Sequence, residues 1–527
     1  MSVLVHCVVS VAFLVVAVAA APILWSGALT DSSVRVVARS EVPATDELLV
    51  WNVDGGSPEN ARRFAATRVI DDWKIVQFAP SQLLPSTAYA YALASNVGNV
   101  GRFRTLHPLG SAANFTFALS ACADSGADHP VFSHLAASEA LFYVNAGDLY
   151  YGDIPDNDTA RFRAEFDLLF EQPTQRQVFA AFPLVYVPDD HDFGPNNADG
   201  SSKSKPAVHR VYREVQPHYP LSQRSADEPL FAHAFTVGRA RFIVSDLRSD
   251  KSPPTAVPRV IMSEWQVEWF KAELLNASRD AAIDVVFWVE GVPLIDDDDV
   301  PAESDTWACC PAMRSELARF IHSLEALRGR IFALSGDAHS IMVDDGTHNQ
   351  FHKPAGGPLN DTADKGFPVI HSAALSRPPS KKGGPYSHGC SVQYNQFGLI
   401  SVSDAGVDAD DPLRRRRVCV EFTGIEWASG SADEEDDDDA MFVASNASLD
   451  GYLRARVRYN SCNETRSIFG DQECRSSTLT QKLAPFKTEA IVAIALCVAA
   501  LLAIVACVVV WKFKLLDRLR GKQPATH

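Results

Sequence analysis

The chain has 527 residues, of which 46% are hydrophobic and 21% are charged, and its formal net charge is -17. This length is enough for two or three domains, and the composition is that of a globular protein rather than a disordered one. The acidic balance argues against a surface that binds a nucleic-acid backbone.

The N-terminal part of the chain contains two predicted elements. Residues 3–21 are almost wholly apolar and end in small residues before Pro22. We interpret residues 1–21 as a signal peptide, with an uncleaved anchor as the alternative because no Lys or Arg precedes the apolar run. In residues 28–107, strand-length apolar runs alternate with Pro, Gly, Ser and Asn clusters, which predicts an all-β domain of the fibronectin type III kind that acts as a spacer.

Residues 113–430 show a different pattern, in which apolar strands alternate with segments of helical periodicity. This alternation predicts an α/β domain with sheets covered by helices. Helices are expected over residues 129–139, 159–181, 263–278 and 313–327. Ser263 and Gln266 have the spacing of a capping box at the start of the third helix.

The C-terminal part of the chain predicts a membrane anchor. Residues 431–487 are acidic and poor in pattern, which indicates a juxtamembrane stalk. Residues 490–511 are uninterruptedly apolar, enough for a helix to span about 30 Å of hydrocarbon. The basic tail, residues 512–527, predicts a single-pass type I protein whose body lies at the cell surface or in a secretory or endolysosomal lumen. A buried core helix and a cleaved lipid-anchor signal are the alternatives, and the basic tail argues against both.

Sequons and cysteines agree with an oxidising compartment. Six Asn-x-Ser/Thr sequons, which would make the chain a glycoprotein, lie on the predicted outer side: Asn114, Asn157, Asn276, Asn360, Asn446 and Asn463. Seven cysteines lie there too, an odd number, so Cys122 as a metal ligand would leave six for three disulfides. We expect Cys462 to pair with Cys474, and Cys309 and Cys310 to pair with distant partners rather than with each other.

Four motifs place polar side chains directly after apolar strands. They are FALSACADS (117–125), VNAGDLYY (144–151), LVYVPDDHDFGPN (184–196) and IFALSGDAHS (331–340). Strand ends of an α/β sheet meet at one edge, where ligands bind. Each motif alone has an ordinary structural explanation, such as a turn or a buried small side chain. The prediction of a two-metal centre therefore rests on all four motifs occurring together in this order.

The donors in these motifs are of two chemical kinds. Asp148 can bridge two cations. On one side lie a thiolate, a phenolate and an imidazole, from Cys122, Tyr151 and His339, with Asp124 nearby. A bound phenolate indicates a strong Lewis acid such as Fe³⁺. On the other side, the oxygens of Asp190, Asp337 and Asn196 favour Ca²⁺, Mg²⁺ or Mn²⁺ over zinc.

The ordered set resembles that of the metallophosphoesterase superfamily, and within it the PhoD-like phosphatases, over roughly residues 30–425. The Gly-Asp-x-x-Tyr element is also similar to that of purple acid phosphatases. The resemblance implies a two-layer β-sandwich core flanked by helices. It also implies two metals: Fe³⁺ held by Cys122, Asp148, Tyr151 and His339, and Ca²⁺ held by Asp148, Asp190 and Asp337 with Asn196.

Three departures from the family pattern argue against an imidazole-rich zinc or manganese site. Cys122-Ala123-Asp124 stands where many relatives have Asp-x-His, Asp190 stands where many have Asn, and residues 291–293 lack the His of a common His-x-Pro motif. These departures keep the predicted site rich in thiolate and oxygen donors.

The predicted function is a membrane-anchored phosphoester hydrolase acting on a small substrate, either monoester or diester. A metal-bridging hydroxide would attack phosphorus in line with the leaving oxygen. His191 would protonate the leaving alcohol, orient the phosphate or support Asp190, and Asp192 would fix its tautomer. Arg248 would clamp a phosphate oxygen unless it forms a structural salt bridge.

The alternative is an inactive surface binding or adhesion protein on the same fold. The sequence argues against it because no ligand position carries an apolar residue. Neither the physiological substrate nor the oligomeric state can be read from the chain.

Overall fold

A computed structural model describes residues 23–223, 230–295, 305–349, 351, 365–406, 418–429 and 451–462. The predicted signal peptide, the apolar segment 490–511 and the basic tail lie outside these residues. Within them, no helix combines the length and apolarity that crossing a membrane requires.

The described residues form seven α-helices and twenty-one β-strands. The helices are α1 (Pro130–Ala137), α2 (Thr159–Glu171), α3 (Pro173–Ala181), α4 (Asp190–Phe193), α5 (Lys205–Val215), α6 (Glu264–Arg279) and α7 (Pro311–Ser323). The first eleven strands are β1 (Leu24–Gly27), β2 (Arg35–Arg39), β3 (Glu47–Asn52), β4 (Arg62–Ala65), β5 (Arg68–Ile70), β6 (Ile75–Phe78), β7 (Ala88–Leu93), β8 (Asn96–Arg104), β9 (Phe115–Ser120), β10 (Tyr143–Asn145) and β11 (Pro183–Tyr186). The other ten are β12 (His233–Val237), β13 (Ala240–Val244), β14 (Val285–Glu290), β15 (Ile331–Ser335), β16 (Ile341–Asp344), β17 (Val369–Ser372), β18 (Cys390–Ser391), β19 (Gln396–Asp404), β20 (Val418–Ser429) and β21 (Gly451–Asn460).

Two large sheets form the core. One has ten strands in the order β21-β20-β19-β9-β10-β11-β1-β2-β6-β5, and the other has seven in the order β12-β13-β14-β15-β17-β16-β18. At the centre of each sheet the strands run parallel, β9-β10-β11 in one and β13-β14-β15-β17 in the other. Phe117 of β9 meets Phe242 and Phe287 of the facing sheet edge-on, with ring centroids 5.2 Å apart in both pairs. The predicted α/β sandwich is confirmed.

Two details of the helices differ from the sequence prediction. The expected helix over 159–181 is divided into α2 and α3, because Pro173 cannot donate a backbone hydrogen bond and restricts the residue before it. Ser263 caps α6 by accepting from the Gln266 backbone N–H, at 3.4 Å. The Gln266 side chain completes no capping box, because its amide is buried against the backbone of Asp246.

The segment 28–107 is all-β apart from two short 3-10 turns, as predicted, and its strands are divided between a four-stranded sheet, β4-β3-β7-β8, and one end of the ten-stranded sheet. β2, β6 and β5 extend the ten-stranded sheet through β1, which pairs antiparallel with β2 and parallel with β11. Trp25 in β1 is fully buried against three phenylalanine rings of α2 and α3, with centroids 5.1–5.8 Å apart. A short buried strand that precedes the segment therefore joins part of it to the ten-stranded sheet, and its role as a spacer stays a prediction.

The region predicted as a stalk contains β21, which pairs antiparallel with β20 at the edge of the large sheet. This pairing brings Cys462 next to Cys419, and the two form a disulfide, so the predicted Cys462–Cys474 pair is wrong. Cys309 and Cys310 are bonded to each other, which corrects the prediction of distant partners. Cys122 is free and buried, as predicted.

Candidate metal centre

The four motifs meet at one edge of the two sheets, where β9, β10, β11 and β15 end. Four of the motif residues have left-handed backbone conformations, with φ values of 61° at Cys122, 52° at Asp148, 53° at Asp337 and 49° at His339. Such conformations are uncommon for residues other than glycine, and they cluster at functional sites. The chain therefore turns sharply at each of these strand ends, and the ligand atoms of the four side chains converge.

One side of the centre combines sulfur, phenol and imidazole. The Tyr151 hydroxyl lies 2.8 Å from Asp148 Oδ2 and 2.9 Å from His339 Nε2, and Cys122 Sγ lies 3.7 Å from the same Asp148 oxygen. Ligand atoms of Cys122, Asp148 and His339 all lie within 4.8 Å of one another. His339 Nδ1 is hydrogen-bonded to the Pro378 carbonyl, at 2.8 Å, which turns Nε2 toward the other donors. These donors can surround one ion.

The other side is a pocket of four buried carboxylates. Asp148, Asp189, Asp190 and Asp337 each place an oxygen within 4.8 Å of the other three. Asp189, Asp190 and Asp337 each have a buried oxygen without a hydrogen-bond partner in the described part of the chain. Buried carboxylate oxygens without hydrogen-bond partners are costly, and a hard cation would satisfy them. The donor set therefore fits a second metal, and Asp148 belongs to both sides.

Asp189 was not among the predicted ligands, although it stands in the Asp-Asp-His-Asp run. Two glycines make room for it. A Cβ on Gly147 would lie 2.3 Å from the Asp189 Cβ, and one on Gly291 would lie 2.6 Å from Asp189 Oδ1. Gly291 begins the Gly291-Val292-Pro293 segment, and its lack of a side chain leaves this space to the Asp189 carboxylate. The absence of a side chain at both positions was the signal available in the sequence.

Burial and the closeness of several acidic side chains raise the pKa values of groups in this centre. Burial, followed by repulsion from Asp190 and Asp189, raises the pKa of Asp148 well above its usual range. Burial and the Asp148 charge likewise raise the pKa of Cys122, and burial with Cys122 raises that of Tyr151. Burial also raises the pKa of Asp189, to about 6, against the opposing charge of Arg248. Because these pKa values are raised, protons compete with a cation for the same groups, so metal binding strengthens as pH rises.

Arg248 lies behind the carboxylates rather than in front of them. Its side chain is 0% exposed, its Nε is 2.5 Å from Asp189 Oδ1, and one terminal nitrogen is 2.8 Å from Asp305 Oδ2. A completely buried guanidinium cannot reach a substrate from this position. The prediction of a phosphate clamp is corrected in favour of its structural alternative, in which Arg248 orients Asp189.

The Arg248→Met substitution is expected to destabilise the fold by about 3–5 kcal/mol, because it leaves buried carboxylates unpaired. Denaturant unfolding of the metal-loaded protein measures this loss. Arg241→Met is the matched control, since its ion pair with Glu273 is partly exposed and contributes at most about 1 kcal/mol. If Arg248→Met instead kept normal stability and metal affinity but had a raised KM, that result would support a phosphate-clamp role for Arg248.

His191 and Asp192 have different surroundings from those expected. His191 Nδ1 lies 2.7 Å from Asp153 Oδ1, and its Nε2 lies 3.9 Å from Asp190 Oδ2. Asp192 is fully buried and accepts hydrogen bonds from the Tyr186 hydroxyl and the Leu149 N–H. Asp153, rather than Asp192, is therefore the carboxylate that orients the imidazole. Asp192 fixes the loop, which is a structural role.

Two further predicted ligands lie away from the clusters. The Asp124 carboxylate forms an ion pair with Arg377, whose guanidinium lies over the Tyr151 ring. Asn196 is exposed, and it is the backbone N–H of Asn197 that donates to Asp190, at 2.6 Å. The side chains of Asp124 and Asn196 therefore belong to neither of the two donor clusters.

The two facing sheets with mixed donors at their common edge define an α/β fold of the metallophosphoesterase type. Among solved structures, the chain is similar to PhoD, with 15% identity and a TM-score of 0.62 over 85% of this chain and 91% of that one. It is also similar to purple acid phosphatase PPD1 from yellow lupin (Lupinus luteus) seeds, with 12% identity and a TM-score of 0.51 over 77% of this chain and 72% of that one. At these identities the similarity establishes the fold.

Residues 117–363 match the family model described as PhoD-like phosphatase. A comparison with curated proteins found no match. Residues 117–363 therefore form a PhoD-like phosphatase domain, and the chain is a phosphoric ester hydrolase by class, which confirms the family and the enzyme class predicted from the motifs.

Proposed function

We propose that the chain hydrolyses phosphoesters with two metal ions at this edge. Cys122, Asp148, Tyr151 and His339 would hold Fe³⁺. Ca²⁺, or Mg²⁺ or Mn²⁺, would be held by oxygen ligands: Asp148, Asp189, Asp190 and Asp337. The observation that carries the proposal is the Asp148 carboxylate, whose oxygens belong to both donor sets. Such a pair of cations supplies a hydroxide nucleophile near neutral pH and offsets negative charge on the phosphoryl oxygens.

The test is an assay of the purified full chain with monoester, diester and pyrophosphate substrates, before and after chelation and after return of each metal. We expect hydrolysis that chelation abolishes and metal restores. A metal-loaded protein inert on all three substrates would favour the alternative, a binding or adhesion protein on the same fold.

His191 is proposed as the proton donor to the leaving group. Its imidazole is 14% exposed and is held through Nδ1 by Asp153. It lies against the Tyr151 ring, with centroids 4.2 Å apart and ring planes tilted by 36°. As the bond between phosphorus and the leaving oxygen breaks, the imidazolium proton would pass to that oxygen while the nucleophilic oxygen bonds to phosphorus from the opposite side. Asp153 would stabilise the cationic imidazole before this transfer.

We expect His191→Ala to lower kcat roughly 10²–10⁴-fold on an alkyl phosphate. The loss should be much smaller on p-nitrophenyl phosphate, because an acidic phenol leaves without protonation. Steady-state kinetics on both substrates measure this difference, and Asp158→Asn, at a partly exposed helix cap outside the site, is the control. Equal losses on both substrates would instead indicate that His191 supports ligand Asp190.

Anchoring by residues 490–511, with the enzyme body outside the cell or in a lumen, is part of the proposal. Three sequon asparagines lie in the described residues, Asn114, Asn157 and Asn276, and all three are exposed, as glycan attachment requires. Extraction of the full chain from membranes by detergent but not by alkaline carbonate supports the anchor. Release by carbonate alone would contradict it.

A further inference from the structure

A loop that follows β17, residues 376–386 and here called the basic strap, crosses the metal edge beside His339. The Pro378 carbonyl accepts from His339 Nδ1 at 2.8 Å, and the Ser380 N–H donates to the His339 carbonyl at 3.2 Å. The strap is therefore attached at its centre to a proposed iron ligand. Its two cationic residues of interest, Arg377 and Lys382, lie on either side of this attachment in the chain.

Arg377 reaches the sulfur and phenol side of the centre. Its guanidinium carbon lies 3.8 Å from the centroid of the Tyr151 ring, and Asp124 pairs with one terminal nitrogen. The side chain is 30% exposed. Stacking and the ion pair together fix the plane of the guanidinium while leaving part of it accessible.

Lys382 reaches the carboxylate side. Its ammonium pairs with Asp337 Oδ1, while Asp337 Oδ2 has no hydrogen-bond partner within the described residues. The Lys382 carbonyl accepts from the Tyr386 hydroxyl at 2.8 Å, which holds the base of the side chain. At 37% exposed, the side chain has access to solvent, and an ammonium has three donors of which this pair uses one.

Two other cations near this edge, Arg248 and Lys251, are not available in the same way. Arg248 is 0% exposed and Lys251 is 3% exposed, and both are paired with Asp305. A substrate that approaches the edge therefore meets Arg377 and Lys382 before it meets these buried groups.

We infer that Arg377 and Lys382 bind the terminal oxygens of the substrate phosphoryl group, and that the basic strap thereby favours monoesters over diesters. This inference rests on the proposed function. A phosphomonoester carries close to two negative charges at neutral pH and has three terminal oxygens, whereas a diester carries one charge and has two. Fixed cations that contact each proposed metal pocket stabilise the more highly charged group more strongly.

The test compares Arg377→Met and Lys382→Met with Lys381→Met, which removes the same charge from the neighbouring strap residue. Binding of inorganic phosphate to the metal-loaded full chain is measured by titration calorimetry, together with kcat/KM for p-nitrophenyl phosphate and bis-p-nitrophenyl phosphate. We expect Arg377→Met and Lys382→Met to weaken phosphate binding about tenfold each and to lower the monoester-to-diester ratio, with unchanged metal content. Lys381→Met should stay within about twofold of the wild type. These magnitudes are those of one charge-assisted contact.

Three outcomes decide the inference. Wild-type phosphate affinity and selectivity in both methionine variants would overturn it, even if the enzyme is active. If the wild type binds phosphate but hydrolyses no ester, the proposed function fails, and the binding data alone still decide whether the strap holds phosphate. If a methionine variant loses metal, Arg377→Lys and Lys382→Arg replace it, and restored phosphate binding by these charge-conserving variants is then required.

Discussion

Asp148→Asn is expected to abolish phosphoester hydrolysis, with a loss of at least about 10⁴-fold, and to release both metals. Removing a single group from a catalytic unit that acts as a whole costs about as much as removing the unit. Asp148 belongs to the cysteine–histidine set and to the four-carboxylate pocket, and its oxygens contact Tyr151 and the His191 backbone. An amide keeps the shape of the side chain but loses the charge that two cations would share.

The same substitution should stabilise the metal-free protein, which separates loss of metal from loss of fold. Because the pKa of Asp148 is raised in the folded chain, its neutral form is favoured there. A group with a raised pKa stabilises the folded state at pH values below its unfolded pKa. This stabilisation is lost as pH rises through the folded pKa. We therefore expect metal-free wild type to lose stability as pH rises above about 4, the ordinary pKa of an aspartate. Metal-free Asp148→Asn should lose less stability over the same rise in pH.

Elemental analysis, activity and unfolding curves of the same preparations measure these effects. Asp128→Asn is the matched control, since this exposed carboxylate lies on the loop after β9 and bonds to Thr174. Retention of two equivalents of metal by Asp148→Asn would show that Asp148 is not the shared ligand.

Tyr151→Phe and Cys122→Ser are expected to remove the visible charge-transfer band of the iron-loaded protein and to lower activity by about 10²-fold or more. Both side chains contact Asp148, and neither is a stable anion without a cation, because burial raises both pKa values. A strong Lewis acid is what would keep a phenolate and a thiolate ionised in such surroundings.

Visible spectra of metal-loaded wild type and variants provide the measurement. Tyr150→Phe is the control, because the Tyr150 hydroxyl donates to the Asp192 backbone carbonyl rather than to the ligands. It should cost about 1 kcal/mol of stability and keep the band. An iron-free active enzyme, or a band that survives both substitutions, would refute the assignment of Fe³⁺ to this side.

Local sequence patterns were sufficient for the fold class and for the position of the centre. Strand-length apolar runs that end in Cys122, Asp148, Asp190 and Asp337 predicted that these residues meet at one sheet edge, and the structure brings their ligand atoms together. Such patterns are reliable because burial and backbone geometry act within a few residues, so periodicity and turn chemistry report them directly. The odd number of cysteines left room for one unpaired thiol, and the first motif indicated that this thiol is Cys122.

Tertiary structure alone decided which partner each polar group has. Arg248, Asp189 and Asp192 stand in motifs with several possible roles. Only the tertiary structure buries Arg248 against Asp189 and brings the Tyr186 hydroxyl to Asp192. Likewise, β21 brings Cys462 to Cys419, although 43 residues separate them. The physical reason is that burial, ion pairing and strand pairing depend on chain segments far apart in sequence. The amino-acid sequence therefore determined which donor residues lie at the strand ends. The tertiary structure determined which of these residues face a metal, a substrate or one another.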